Sequence, residues 1–310
     1  MKDKTDTILV SIAMCTYNGE KYLHEQLDSL VYQDYSNLEI IIIDDCSSDQ
    51  TLDILKDYSN RFSFIKVFQN ESNLGYVKNF ERAISKCSGE YIALSDQDDI
   101  WELHKISTLC NNIKDHTLIY HDSDFVNELG NSLNKKVSDI INLYEGGDFR
   151  PFLFENCISG HSMLFKRSLV GRLLPFNESY FHDWWIAYIA SNYGTIGLIK
   201  ENLVHYRQHN DAATDILKSK PQKEENRLRG CDQELIFKKV THCKTYSNPR
   251  NHAFIDHLHQ LMAKRLKSKG FSFELFMFLL NNMNGLFYIY KKSFFSKLNF
   301  IRKINRAYKY

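Results

Sequence analysis

Gly89-Glu90-Tyr91-Ile92-Ala93-Leu94-Ser95-Asp96-Gln97-Asp98-Asp99-Ile100-Trp101 is the stretch on which the fold turns. It joins a short apolar run, Tyr91–Leu94, to three carboxylates within four residues. A strand that stops abruptly at a polar cluster reads as a buried strand ending at a ligand-binding edge. Two upstream stretches repeat the pattern. The apolar run Ile8–Met14 ends in Cys15-Thr16-Tyr17-Asn18-Gly19, and Leu38–Ile43 ends in Asp44-Asp45-Cys46-Ser47-Ser48-Asp49. Between them, Tyr22, Leu23, Leu27, Leu30 and Val31 recur at helical spacing. Thr51 to Tyr58 and Tyr76 to Lys86 read as further helices, and Phe64–Phe68 as a strand. Strands alternating with helices predict an α/β domain with a mostly parallel sheet flanked by helices. The three polar clusters would then meet at the carboxyl ends of the strands.

Further along, a helix is expected from Trp101 to Asn112 and a strand at Leu118–His121. Residues 122–149 read as loop-rich. Ile158–Phe165 and Thr195–Ile199 read as strands and Trp184–Ser191 as a helix. Past Asp211 the alternation ends and the chain reads as helical. This gives a catalytic domain over residues 1–213 and a basic, aromatic, mostly helical region over 214–310.

The 310 residues are 43% hydrophobic and 25% charged, which excludes a disordered or fibrous chain. The net charge of +1 argues against a nucleic-acid partner. It hides an asymmetry: Leu261 to Tyr310 hold 11 Lys/Arg and one acid, Glu274, leaving the rest of the chain acidic. A basic, aromatic tail suits peripheral contact with an anionic membrane, and packing on the catalytic domain suits it nearly as well. The seven Cys include no CxxC pair, as expected of free thiols in a reducing compartment. No signal peptide or run of 18 uncharged apolar residues is seen. A cytoplasmic protein, peripheral on the inner face of the membrane, is the expectation.

Carboxylates clustered at a strand end would repel a phosphate unless a cation lay between. The chain has no GxGxxG and no GxxxxGK[ST], so the cluster favours a Mg²⁺ or Mn²⁺ bridge to a nucleotide diphosphate. Asp183 precedes Trp184 and Trp185, and a carboxylate beside apolar rings has reason for a raised pKa, which suits a general base. The plain alternatives are a solvated acidic turn and a helix cap beside a packed core.

The four blocks Val10–Gly19, Ile43–Asp49, Asn73-Leu74-Gly75 with Lys78-Asn79, and Gly89–Trp101 resemble, in order, the motifs of the family 2 inverting glycosyltransferases of GT-A fold. Ser159-Gly160-His161-Ser162, His182-Asp183-Trp184-Trp185 and Tyr206-Arg207-Gln208-His209 are similar to the family's later elements. The combination looks most like bacterial rhamnosyltransferases of surface-polysaccharide biosynthesis. Cys46 stands where Gly is usual, and Lys78 where Arg is usual.

The resemblance implies a nucleotide-sugar donor and a glycan or lipid-linked acceptor. It assigns Thr16, Tyr17, Asn18, Asp45, Asn73, Lys78, Asp96 and Gln97 to the nucleotide sugar. Tyr17 faces the base, Asp45 accepts its N–H, and Lys78 meets phosphate or base. Asp98 and His209 fall to the metal, Asp183 to general base, and Gly160, Trp184 and Trp185 to the acceptor. It implies rhamnose transfer from dTDP-rhamnose, with a UDP-hexose or UDP-N-acetylhexosamine donor as the alternative. Two rivals stand beside it. A sugar-nucleotide pyrophosphorylase would need a Gly-rich basic loop, which residues 15–21 lack. A non-catalytic carbohydrate-binding or membrane-scaffold protein would release no nucleotide diphosphate.

Overall fold

A computed structural model describes residues 8–209, 217, 233–268 and 270–305. Alternate residues of β1 (Val10–Thr16) and β2 (Leu38–Asp44) enter two different cores, because strand side chains alternate between faces. Ile12, Met14, Ile40 and Ile42 pack with Leu23, Leu27 and Leu30 of α1 (Glu20–Val31) and with Leu55 and Tyr58 of α2 (Thr51–Arg61). Ala13, Ile41 and Ile43 pack on the opposite face with Val77, Phe80, Ala83 and Ile84 of α3 (Tyr76–Lys86). Both faces are covered, which is why these strands read as unbroken apolar runs.

The remaining strands are β3 (Ile65–Gln69), β4 (Tyr91–Ser95), β5 (Ile100–Trp101), β6 (Leu118–Val126), β7 (Ser132–Lys136), β8 (Met163–Lys166) and β9 (Ile196–Arg207). Their order is β3-β2-β1-β4-β8-β6-β9-β5, with β7 on β6. The half from β3 to β4 is parallel. Beyond it the sheet becomes mixed: β8 runs antiparallel to β4 and β6, β9 is parallel to β6, and β5 is antiparallel to β9. From β1 the chain crosses to β2 on one side and later returns to β4 on the other. The carboxyl ends of β1 and β4 therefore flank the reversal point where open α/β sheets bind ligands.

Three expectations are corrected here. Trp101 is a strand residue paired with Val204, and the helix α4 begins at Lys105 and ends at Ile113. Residues 122–126 continue β6, because their polar side chains are satisfied inside the protein. Asp122 accepts from the Ser123 and Ser138 N–H groups, and Asp124 bonds His205. Strand β9 runs on past the polar Lys200-Glu201-Asn202 to Arg207, with register shifts opposite His121 to Asp124. This extension carries Tyr206 and Arg207 to the ligand edge.

The C-terminal helices Gln233–Tyr246, His252–Lys267, Phe273–Asn281 and Phe294–Asn305 add to the parallel half's second core. Leu275, Leu279, Ile301 and Ile304 are fully buried in the same cluster as Trp184, Trp185 and Ile186. Burying each such side chain contributes about 1.5–3 kcal/mol, so these helices are anchored rather than appended. The expected boundary near Ala213 lies outside the described residues. No helix among the described residues is long and apolar enough to cross a membrane. Cys87, Cys157 and Cys243 are buried free thiols, Cys110 is buried as well, and Cys46 is exposed.

Candidate active site

A cleft of about 700 Å³ opens where β1, β2 and β4 end. That volume lies in the range of small-molecule sites. Tyr17, Asp45, Asp96, Asp98, Asp183 and His209 all line it.

One wall is a set of loops locked by side chains. Gln97 clamps Tyr17 at both ends: its Oε1 accepts the Tyr17 N–H at 2.8 Å and its Nε2 donates to the Tyr17 carbonyl at 3.1 Å. A Cβ at Gly19 would collide with that carboxamide, so a larger residue there would displace the Gln97 clamp. Asn18, with φ 47°, accepts from Ser48 N–H through its side chain. The Thr16 hydroxyl donates to Asp44 at 3.1 Å. The Tyr17 ring itself stays 48% exposed at the cleft lip, free to stack.

Asp45 accepts from Asn70 Nδ2, Leu74 N–H and Gly75 N–H. A carboxylate offers about four lone-pair sites, so about one remains for a ligand. Asn73 caps its own turn by accepting from Gly75 N–H. Lys78 is not brought to the cleft. Its Nζ pairs with Glu81 at 3.0 Å, one helical turn on, and with the Phe176 carbonyl.

The acidic turn after β4 is held from β9. Arg207, 2% exposed, donates from its backbone to Asp99, from Nε to the Asp98 carbonyl and from Nη1 to the Glu128 carbonyl. Its Nη2 reaches Glu25. Asp98 Oδ2 lies 2.8 Å from His209 Nε2. Behind them, Asp96, Asp99 and His161 gather ligand atoms within 4.8 Å of one another. Asp99 Oδ2 is buried and has no hydrogen-bond partner among the described residues. Burial, then the neighbouring Asp98 and Asp96, push the Asp99 carboxyl well above the ordinary carboxylate range. Lys105, wholly buried, donates to the His161 carbonyl at 2.6 Å, and burial drives its ammonium well down.

The opposite wall is the start of the helix His182–Tyr193. Asp183 Oδ1 accepts the Trp184 N–H, and burial pushes its carboxyl up to about 7. The helix N-terminus and Lys239 pull the other way without overcoming it. His182 is stacked on Phe80 at 4.2 Å, and burial lowers it to about 4, so it is neutral at pH 7. Neither ring nitrogen has a partner among the described residues. Gly160 lies against it; a Cβ there would sit 3.3 Å from His182 Nε2. The expectation for Trp185 is corrected: its indole donates to the Leu173 carbonyl and stacks on Tyr188 inside the core. Trp184 donates to the Phe152 carbonyl and lines a second cavity beyond Asp183.

Residues His161, His182, Asp99, Lys105 and Arg207 escaped assignment from the sequence. Their motifs were visible, but their partners lie 38 to 182 residues away in the chain. The one available signal was adjacency to Asp98, Gly160 and Asp183.

Residues 11–174 match the model of the family described as Glycosyl transferase family 2. The chain is 30% identical over 216 residues to an uncharacterised glycosyltransferase of Methanocaldococcus jannaschii, covering 67% of this chain and 73% of the relative. Among solved structures it is similar to S. aureus TarS residues 1–349 in complex with UDP-GlcNAc. There the TM-score is 0.60 at 18% identity, over 96% of this chain and 81% of that one. It is also similar to the mannosyltransferase PcManGT of Pyrobaculum calidifontis in complex with GDP-Man and Mn²⁺. That match has a TM-score of 0.50 at 17% identity, over 81% and 68% of the two chains. The fold is of the GT-A type.

Proposed function

The chain belongs to glycosyl transferase family 2, and from that premise we propose a divalent-cation-dependent, inverting sugar transfer to a hydroxyl of a polysaccharide or lipid-linked acceptor. The motif resemblance favours rhamnose from dTDP-rhamnose. The UDP-GlcNAc bound by S. aureus TarS keeps a UDP-N-acetylhexosamine donor as the second reading. One observation carries the proposal: Asp183, raised to about 7, shares a cleft with the Asp96–Asp99 turn.

In this reading the Asp183 carboxylate takes the proton of the acceptor hydroxyl. That oxygen attacks the anomeric carbon from the face opposite the leaving diphosphate. Neutral His182 offers a donor and an acceptor to sugar hydroxyls. Asp99 Oδ2, which makes no hydrogen bond among the described residues and lies 3.4 Å from His161 Nδ1, and the Asp98–His209 pair fit a bound cation. Asp98, His209 and Asp96 would hold Mg²⁺ or Mn²⁺, supplying positive charge for the diphosphate. Incubation with dTDP-rhamnose, then UDP sugars, with glycolipid acceptors tests the reading. Expected is release of nucleoside diphosphate matched by glycosylated acceptor; release from no sugar nucleotide would favour a non-catalytic binder.

The C-terminal helices fit peripheral contact with an anionic membrane. Phe294 and Phe295 are 53% and 78% exposed, beside exposed Lys291 and Lys292. Rings beside ammonium groups suit the headgroup region. Excising residues 271–310 would strip Leu275 and Ile301 from the shared core and uncover the residues packed against them, so point changes are the sound test. Wild type is expected to float with anionic liposomes, less so in high salt. The variant Phe294→Ser/Phe295→Ser/Lys292→Gln is expected to sediment. Equal flotation with neutral liposomes would remove the electrostatic part.

A further inference from the structure

A second cavity of about 450 Å³ lies beyond Asp183. Ser159, Phe181 and Asp183 line both it and the cleft, so the carboxyl of Asp183 stands in their common wall. The far walls are largely apolar, from Phe154, Trp184, Ile236 and Phe300. Among the described lining residues the one Lys or Arg is Lys239, from the helix Gln233–Tyr246. Its Nζ sits 4.1 Å from the centre of the Trp184 ring and donates to the Phe154 carbonyl at 3.3 Å.

Neither contact neutralises the ammonium. A cation held among apolar groups is costly unless an anion meets it. Burial accordingly lowers the Lys239 pKa, although Glu155 and Asp183 both act to raise it. Lysine presents a compact point charge rather than the planar fork that matches a carboxylate, and so suits a phosphate oxygen.

We propose that this cavity is the acceptor subsite, and that Lys239 selects an acceptor carrying a phosphate group on an apolar stem. The word acceptor rests on the transferase reading above; the anion site does not. A phosphate at Lys239 would bring a neighbouring hydroxyl toward Asp183, while the stem lies against Trp184 and Phe300.

The test is calorimetric titration of the full chain with n-octyl phosphate and n-octyl β-D-glucoside, in EDTA, with and without saturating UDP. Octyl phosphate is expected to bind at least tenfold more tightly than the glucoside or inorganic phosphate, and not to be displaced by UDP. Lys239→Met should weaken octyl phosphate at least tenfold and leave the glucoside unchanged; Lys239→Arg should retain most of the affinity. Equal affinity of wild type for the two amphiphiles overturns the proposal and needs no variant to fold. So does displacement by UDP, which would locate the phosphate in the donor cleft. Inorganic phosphate binding as tightly as octyl phosphate overturns the apolar stem. The expected binding without transfer from any sugar nucleotide would overturn the transferase reading alone. Transfer that uses phosphorylated and neutral acceptors equally would overturn this inference alone.

Discussion

Asp183→Asn is expected to lower sugar transfer by about 10²- to 10⁴-fold, the contribution typical of a positioned base, while UDP affinity stays unchanged. A sugar hydroxyl is a weak nucleophile at neutral pH, and Asn cannot take its proton. The pH profile gives a second readout. Asp183 acts as a base only when ionised, and burial raises it from 3.8 to about 7. Wild-type transfer should therefore fall about tenfold for each pH unit below 7 and level off above it. In the variant that limb should vanish.

The same shift fixes the sign of a stability effect. The native state keeps the Asp183 proton up to about pH 7, whereas the unfolded chain releases it near 3.8. This contribution to stability is therefore lost as pH rises between those values. Asn carries no charge to bury and still offers an oxygen to the Trp184 N–H. Above pH 7 the variant should melt no earlier than wild type. Earlier melting with a wild-type transfer rate would mean that Asp183 merely caps its helix.

The parallel half of the sheet was legible because both faces of β1 and β2 are buried, so Ile40 to Ile43 read as one apolar run. The second half was not, because β6 and β9 carry polar residues satisfied by each other and by loops. Asp124 with His205 is the clearest case. Hydropathy registers Asp and His as loop residues whether or not they are paired. In the site, the carboxylate clusters announced themselves by position after strands. Side-chain direction did not. Lys78 is half-buried between the buried Val77 and Asn79, and its Nζ meets Glu81 and the Phe176 carbonyl rather than the cleft. Trp185 follows Asp183 by two residues, and a helix turns about 100° per residue, so it faces the core. Arg207, which holds the acidic turn, was quoted within a motif, but its four carbonyl and carboxylate partners come from other parts of the chain.

Removing divalent cations with EDTA is expected to abolish transfer and to weaken UDP binding by about 10²-fold or more. Asp96, Asp98 and Asp99 stand at the strand end where a diphosphate would lie. Two like unit charges about 5 Å apart repel by about 3 kcal/mol at an effective dielectric near 20. Each 1.4 kcal/mol is tenfold in affinity, so one uncompensated contact accounts for the loss. Mg²⁺ or Mn²⁺ should restore both properties. Asp98→Asn removes the carboxylate that meets His209 and should lose Mn²⁺-dependent UDP binding without loss of fold. Its defect should thus appear in donor affinity, where that of Asp183→Asn should not. A direct readout is free of turnover: Mn²⁺ should raise the melting temperature of wild type, since a ligand of the native state alone stabilises it, and should leave that of Asp98→Asn nearly unmoved. Full transfer in EDTA would remove the cation from the reaction. The acidic turn would then need another counter-charge for the diphosphate. Lys21, which lines the cleft and pairs with Glu128, would be the first residue to replace.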